Sequence, residues 1–289
     1  MSDVVAATVQ SFLDECADLD RLVAGLPADG WRRDTPAAGW TVAHQVAHLA
    51  WADEVALLAV ADTGAFRTEV AAASADPVGH VDRMAAVGAV PPYAALLARW
   101  RTGREALAAA LRTADPGTAV PWFGPPMSPR SMATARLMET WAHGQDVADA
   151  LGAQRPPTDR MRDICHLGVR TRDFAYRING LEPPAGQFRV ELTGPGGDVW
   201  TWGPQDAPDR VRGTAEEFCL VVAQRRELHD TGLVAQGETA HWLTFAQVFA
   251  GATKEKVRAR QTPADAGPGK GRVGERSRSA SAGTGGQRA

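Results

Sequence analysis

The chain has 289 residues, 44% of them hydrophobic and 22% charged, which supplies a buried core and argues against wholesale disorder. Thirty-four acids against 31 Lys+Arg leave a net charge of −3, too even for a protein that coats nucleic acid. Three cysteines (Cys16, Cys165 and Cys219), far apart and odd in number, argue against a disulfide framework and against a thiolate metal knot. Met1-Ser2-Asp3 lacks the basic start of a secretory signal, and no ~18 uncharged apolar residues run together. The expected setting is a reducing cytoplasm, with no membrane span.

The first half reads as helices. Val5, Val9, Phe12, Cys16, Leu19, Val23 and Leu26 alternate spacings of four and three, which lines one helix face up to the stop at Gly25 and Pro27. A second helix starts behind Thr41 as N-cap and runs through about Val60. A third follows Pro91-Pro92 and ends at Asp115-Pro116-Gly117, with Leu96, Leu97, Trp100, Leu107 and Leu111 among its apolar positions. A fourth is capped by Ser128, opens on Pro129 and stops at Gly152. A fifth helical stretch runs from Thr158 to about Asn179. Long helices with modest connections suggest an up-and-down bundle.

After Pro184 the period changes to two. Gln187–Thr193 and Asp198–Trp202 flank Gly194-Pro-Gly-Gly197 as a β-hairpin, and Asp209–Gly213 is a candidate third strand. Thr214 with Glu217 forms a capping box ahead of Phe218-Cys219-Leu220-Val221-Val222, and a final helix is expected from Thr239 to Phe249, ending at Gly251. The last 28 residues, Thr262–Ala289, hold five Lys/Arg, two acids, seven Gly and no aromatic residue, so they are expected to be disordered. Their three surplus positive charges leave the rest of the chain at −6.

Two helices carry the polar groups that invite chemistry. On the second, Val42, Val46 and Leu49 share one face while His44, His48, Trp51 and Val55 share the opposite one, so the helix is buried on both sides and its imidazoles need partners. On the fourth, Met132, Ala135, Glu139, His143, Asp146 and Ala150 share one stripe. Glu139 and His143, four apart, with one histidine from a neighbouring helix, provide a three-ligand carboxylate–imidazole metal site with coordination positions left open. Spacing alone leaves a second reading: Arg136, three residues earlier, pairs with Glu139, and His143 is a hydrogen-bonded core histidine.

Trp40-Thr-Val ahead of Ala47-His48-Leu49, with Glu139-x-x-x-His143-Gly144-x-Asp146 about ninety positions on, resembles the mycothiol-dependent maleylpyruvate isomerase family. That family lies within the wider DinB-like superfamily of metal-binding four-helix bundles. The resemblance covers the chain to about residue 152. It continues more loosely through Gly213-Thr214-Ala215-Glu216-Glu217-Phe218 and Gly237-x-x-x-x-Trp242-Leu243. It implies an α+β protein: a DinB-like up-and-down four-helix bundle with a metal site over residues 1–155, a connecting helix and linker over 156–184, a small α+β domain over 185–261 and the tail over 262–289. It also implies a divalent metal, usually zinc, on residues equivalent to His48, Glu139 and His143. In such families the metal activates the thiol of a low-molecular-weight cofactor, mycothiol in actinobacteria. A thiol with a free pKa of ~8.5 is mostly protonated at neutral pH until a dication takes the proton's place. The thiolate then adds to an electrophilic carbon, either as an S-transfer or transiently in an isomerisation.

Around those three residues the readings divide. Asp146 is either an outer partner that orients a ligand imidazole or a cap or ion-pair partner elsewhere in the bundle. His44 stands where the family often has an acid. It is either a neutral bystander or an outer polar group above the metal. Trp122, Phe123 and Met127, in a Pro/Gly-stiffened loop leading into the fourth helix, either wall a substrate pocket together with Trp51 or plug the bundle end. Arg83 and Arg101 are read as solvated surface before any role toward an acidic substrate. The chain has no Walker-type loop and no Gly-x-Ser-x-Gly elbow. The leading expectation is a metal-dependent thiol transferase or isomerase acting on a small-molecule electrophile, with no nucleic-acid or membrane partner. The alternatives are a non-enzymatic metal-containing protein that binds a small ligand or partner, and a DNA-associated regulator relying on the basic tail.

Overall fold

Gly39, at φ +78°, turns the chain into Thr41, and the helix that carries His48 starts directly behind it. Ser128 accepts from the Ser131 amide and Pro129 fills the first turn of the helix that carries Glu139 and His143. A computed structural model describes residues 2–77 and 79–249. In chain order the helices are α1 (Ser2–Val23), α2 (Ala28–Trp31), α3 (Val42–Ala61), α4 (Thr63–Ala75), α5 (His80–Gly88), α6 (Tyr93–Thr113), α7 (Pro129–Leu151), α8 (Met161–Arg170) and α9 (Arg172–Ile178). After them come β1 (Arg189–Thr193), β2 (Val199–Trp202), β3 (Arg210–Thr214), α10 (Ala215–Val222), a 3₁₀ turn at Leu228–Asp230, β4 (Val234–Gln236) and α11 (Glu238–Leu243).

Helices α1, α3, α6 and α7 form a four-helix bundle around Val9, Phe12, Leu19, Leu49, Trp100, Leu107 and Leu137, all buried. The two middle helices run the same way, so the order is up, down, down, up. Glu54 of α3 pairs with Arg99 of α6, and the far ends of both helices, at Ala61 and Thr113, line one cavity of about 300 Å³. Antiparallel pairing is fixed on α1 and α6 by Asp20–Arg101 and Gln10–Arg112, and on α3 and α7 by Asp53–Arg136 and His48–Glu139. What makes α3 and α6 parallel is the return of the chain through α4 and α5, which ends with Gly88 against Ala47. The sequence pattern signals neither α4 nor α5. The buried residues of α4 reduce to Phe66 and those of α5 to His80, Ala85 and Gly88, so no periodic row of large apolar residues marks them.

The remaining elements form a small α/β module, which makes the whole architecture α+β. Its sheet has the order β2-β1-β3-β4. The hairpin β1–β2 pairs Val190 with Trp202, β3 lies parallel to β1 with Val190 opposite Val211, and β4 adds antiparallel to β3. Val190, Leu192, Trp200 and Val211 face inward and belong to one core with Phe218 and Trp242, whose rings sit 6.0 Å apart. The long fifth helix of the sequence reading is broken at Thr171 into α8 and α9, and the final helix ends at Leu243 instead of Phe249. Gly251 and the basic tail lie outside the described residues. All three cysteines are buried; Cys165 and Cys219, 54 residues apart, meet with sulfurs 3.5 Å apart between α8 and α10. Gly203 follows β2 at the open end of the hairpin with φ +76°, where a Cβ would stand 2.0 Å from the Phe188 carbonyl oxygen. Gly203→Ala should therefore cost at least about 1–3 kcal/mol of strain, read as a lower urea midpoint at unchanged slope.

Candidate metal centre

Helices α3 and α7 cross so that His48, Glu139 and His143 meet. His48 Nε2 is 3.3 Å from Glu139 Oε2, and His143 Nε2 is 3.5 Å from the same oxygen. One donor atom from each residue lies within 4.8 Å of the others, the one such cluster of three among the described residues. Bonds of ~2.1 Å at tetrahedral angles put donor atoms ~3.4 Å apart, so both measured separations are those of neighbouring ligands on one small ion. Side-chain exposures of 10%, 24% and 13% for His48, Glu139 and His143 leave the cluster reachable from one side.

The protonation states suit a cation. Burial pushes the Glu139 carboxyl up, but opposing influences that include the charge of Arg136 outweigh it and hold the group well below its ordinary range. Burial and the neighbouring His48 bring His143 down to about 3, so its ring is neutral at pH 7. His143 Nδ1 lies 2.5 Å from the carboxamide oxygen of Gln45. That oxygen only accepts, so Nδ1 carries the hydrogen and Nε2 presents its lone pair toward Glu139. His48 also directs Nε2 inward, while its Nδ1 is buried without a hydrogen-bond partner and the ring is held by packing between Trp40 and Trp51. A divalent ion with nitrogen and carboxylate preferences fits this donor set, and the residues that would hold it are His48, Glu139 and His143.

The structure shows which groups the remaining side chains contact. Arg136 directs Nε to Asp53 at 2.9 Å and comes no nearer than 3.9 Å to Glu139, so Glu139 is not simply its salt-bridge partner. Asp146 stands 3.9 Å from His143 Nδ1, beyond hydrogen-bond reach, and instead takes a two-toothed fork from Arg225 of the C-terminal module at 2.7 and 3.2 Å. Gln45 occupies the position that the sequence reading offered to Asp146. His44 is spent on the start of α3: the Thr41 amide donates to its Nδ1 at 3.3 Å and the Thr41 hydroxyl lies 2.8 Å from the same atom. Arg83 pairs with Asp76 and donates to His80, and Arg101 pairs with Asp20, so both are engaged within the fold.

The aromatic residues pack on one another beside His48. Trp51 lies 5.8 Å from the His48 ring and 6.5 Å from Phe123, which in turn contacts Trp122 at 5.2 Å and Phe66 at 5.6 Å. Met127 closes their hairpin by backbone pairing with Val120. The 300 Å³ cavity lies behind this hairpin, lined by Val120 and Pro121 with the ends of α3 and α6, and not between the aromatic rings and the three donors. Trp51 Nε1 and His80 Nε2 both donate to Glu69 Oε1, at 3.1 and 3.0 Å. Trp40 roofs the donors: its ring stacks on His143 at 6.0 Å and 18°, lies 5.4 Å from His48, and is tethered by Nε1 to Asp82.

Gln45, Trp40, Arg225, Glu69 and His80 escaped the sequence reading as site residues. For Gln45 there was one usable signal, a polar residue between two histidines on a helix apolar on both faces, which demands buried partners. Arg225 gave none, because its contact with α7 spans 79 residues.

Comparison with known proteins bears on the fold and the family. The family described as mycothiol maleylpyruvate isomerase N-terminal domain matches residues 12–148, and that described as wyosine base formation matches residues 184–236, which span the sheet. An uncharacterised protein of Mycobacterium tuberculosis, found in two strains, is 57% identical over 238 residues, or 82% of this chain and 93% of its own. The crystal structure of the mycothiol-dependent maleylpyruvate isomerase aligns with a TM-score of 0.54 at 15% identity, over 80% of this chain and 92% of that one. A point variant of that enzyme aligns with a TM-score of 0.53, also at 15% identity, over 77% and 90%. Identity that low speaks for the fold, while the mycobacterial relative and the N-terminal match speak for descent. The chain belongs to the mycothiol-dependent maleylpyruvate isomerase-like family, in a branch with the mycobacterial protein.

Proposed function

We propose that the protein is a divalent-metal-dependent enzyme of low-molecular-weight thiol chemistry, a mycothiol-dependent S-transferase or isomerase, with His48, Glu139 and His143 holding the ion. Zinc suits two imidazoles and a carboxylate best. The observation that carries this reading is the convergence of three donors, two imidazole nitrogens and a carboxylate, at separations that suit ligands on one ion, with none of the three side chains fully buried. The chemistry that a dication held by His48, Glu139 and His143 would supply is a lowered pKa for a thiol brought to it.

The chain's own residues supply the rest. Glu139 stays ionised and His143 neutral without help from bulk solvent. Trp40 packs on the rings of His143 and His48, and its tether to Asp82 fixes it to α5. Trp51, Trp122 and Phe123 give an apolar, aromatic flank for an electrophile next to His48. Met127 holds the hairpin that presents two of them. Asp146 and Arg225 fix the C-terminal module one turn beyond His143. The partners in this reading are a small electrophile and a thiol, in the cytoplasm. No described helix is long and apolar enough to cross a membrane.

The test is incubation of the zinc-loaded protein with mycothiol and a panel of electrophiles that includes maleylpyruvate. Conjugate or isomer should form at rates well above background and vanish when mycothiol is omitted. Stoichiometric zinc without any product would refute the enzymatic half and favour the metal-containing binding protein.

A further inference from the structure

Gln45 is wholly buried on α3, one turn before His48, and both ends of its carboxamide are committed. Its nitrogen donates to the Thr35 hydroxyl at 2.8 Å, and that hydroxyl donates in turn to the Trp40 carbonyl at 2.8 Å. Because the hydroxyl hydrogen goes to the carbonyl, the face turned to Gln45 is a lone pair, which accepts the amide N–H. The carboxamide oxygen is thereby aimed at His143 Nδ1, at 2.5 Å.

The loop that supplies Thr35 is itself pinned. The Thr35 amide donates to the Trp40 carbonyl, the Val42 amide donates to the Arg33 carbonyl, and Asp34 bridges to Thr41. Asp146 cannot take the place of Gln45, since it lies 3.9 Å from Nδ1 and its two oxygens face Arg225. We propose that Gln45 is a positioning residue: through the chain Trp40 carbonyl, Thr35 hydroxyl, Gln45 carboxamide and His143 imidazole, it holds the hydrogen of His143 on Nδ1 and its lone pair on Nε2. The three-donor site is then competent for a cation before any cation arrives. This inference rests on the metal reading above.

Histidine ligands in general are oriented by an acceptor on the other ring nitrogen, and removing that acceptor typically costs about 10–100-fold in metal affinity. Here the acceptor is a neutral amide, which leaves the site's charge to Glu139 alone. The amide also ties the tautomer of His143 to the loop that carries Trp40, the ring roofing the site. Without Gln45, the neutral ring of His143 is free to carry its hydrogen on Nε2 and donate to Glu139, an arrangement that fills the place of the ion.

The experiment is chelator competition for zinc with the full-length protein, its fold checked by circular dichroism. Gln45→Leu should bind zinc about 10–100-fold more weakly, and Gln45→Glu, which keeps the acceptor, should stay within about threefold of the unaltered protein. Thr35→Val, which releases the amide without removing it, should lie between them and serves as the measurement if Gln45→Leu does not fold. Nitrogen-edited NMR of the zinc-loaded protein should find the His143 hydrogen on Nδ1. Unchanged zinc affinity in Gln45→Leu, or in Thr35→Val where that stands in, would overturn the inference, as would Gln45→Glu falling as far as Gln45→Leu or the hydrogen residing on Nε2. Failure of the unaltered protein to take up zinc would refute the metal reading and this inference with it. Normal uptake with an unaffected Gln45→Leu refutes the inference alone.

Discussion

Glu139→Ala should purify with less than about a tenth of the zinc carried by the unaltered protein, and His48→Ala and His143→Ala should match it. Each substitution removes one of three donors, and loss of a ligand should exceed the 10–100-fold cost of losing an outer partner. The readout has two parts. Metal analysis should fall from about one zinc per chain toward none, and the rise in melting temperature on adding zinc should disappear. In the unaltered protein that rise follows mass action, about 4 kcal/mol when free zinc is a thousandfold above its dissociation constant. Glu139→Ala is the most telling of the three. If Glu139 were a structural partner of Arg136, its removal would destabilise the protein with or without zinc. The 3.9 Å separation, against 2.9 Å from Arg136 to Asp53, says that the loss should depend on zinc. Full metal occupancy in all three variants would sink the site.

The donors were legible because helical periodicity is a strong signal in two long, well-capped helices. His48 on one face of α3, and Glu139 with His143 on one stripe of α7, follow from 100° per residue before any coordinate is known. What spacing could not settle was which acid Arg136 prefers, because Asp53 lies 83 residues away and on another helix. The same limit hid Gln45 and Arg225, whose partners on α7 are 98 and 79 residues distant. The bundle was legible from caps and breakers at Thr41, Ser128, Pro129 and Gly152, but its parallel middle pair was not. That pairing depends on α4 and α5, and helices whose buried residues are one phenylalanine, one histidine, an alanine and a glycine carry little periodic apolar signal. Strand β4, three residues with an exposed valine, is too short to announce itself. For the aromatic loop, spacing leaves walling a pocket and plugging the bundle end equally open, because it does not show that the rings pack against one another with the cavity behind the hairpin.

Arg136→Met should destabilise the protein by about 3–5 kcal/mol, the cost of breaking a buried ion pair by removing one partner. Its side chain is 2% exposed and that of Asp53 is 0% exposed, with the guanidinium Nε 2.9 Å from the carboxylate. Burial pushes the Asp53 carboxyl upward, and the charge and hydrogen bond of Arg136 pull against that rise. Arg136 is equally sustained, since the charges of Asp53 and Glu139 outweigh the burial that would lower it. Removing the cation leaves the Asp53 carboxyl buried without its partner. At ~2–4 °C per kcal/mol for a chain of this size, melting should fall by roughly 6–20 °C. The double variant Asp53→Leu with Arg136→Met should recover most of that loss, because apolar side chains of similar volume often replace a buried pair at little cost. A coupling above about 1 kcal/mol between the two sites is therefore expected from the mutant cycle. A cost below about 1 kcal/mol for Arg136→Met alone would mean that the pair is not an ion pair in solution. The zinc-dependent rise in melting temperature should survive in the double variant, since His48, Glu139 and His143 all remain. That separates the two charges that hold α3 to α7 from the three donors that the same crossing assembles.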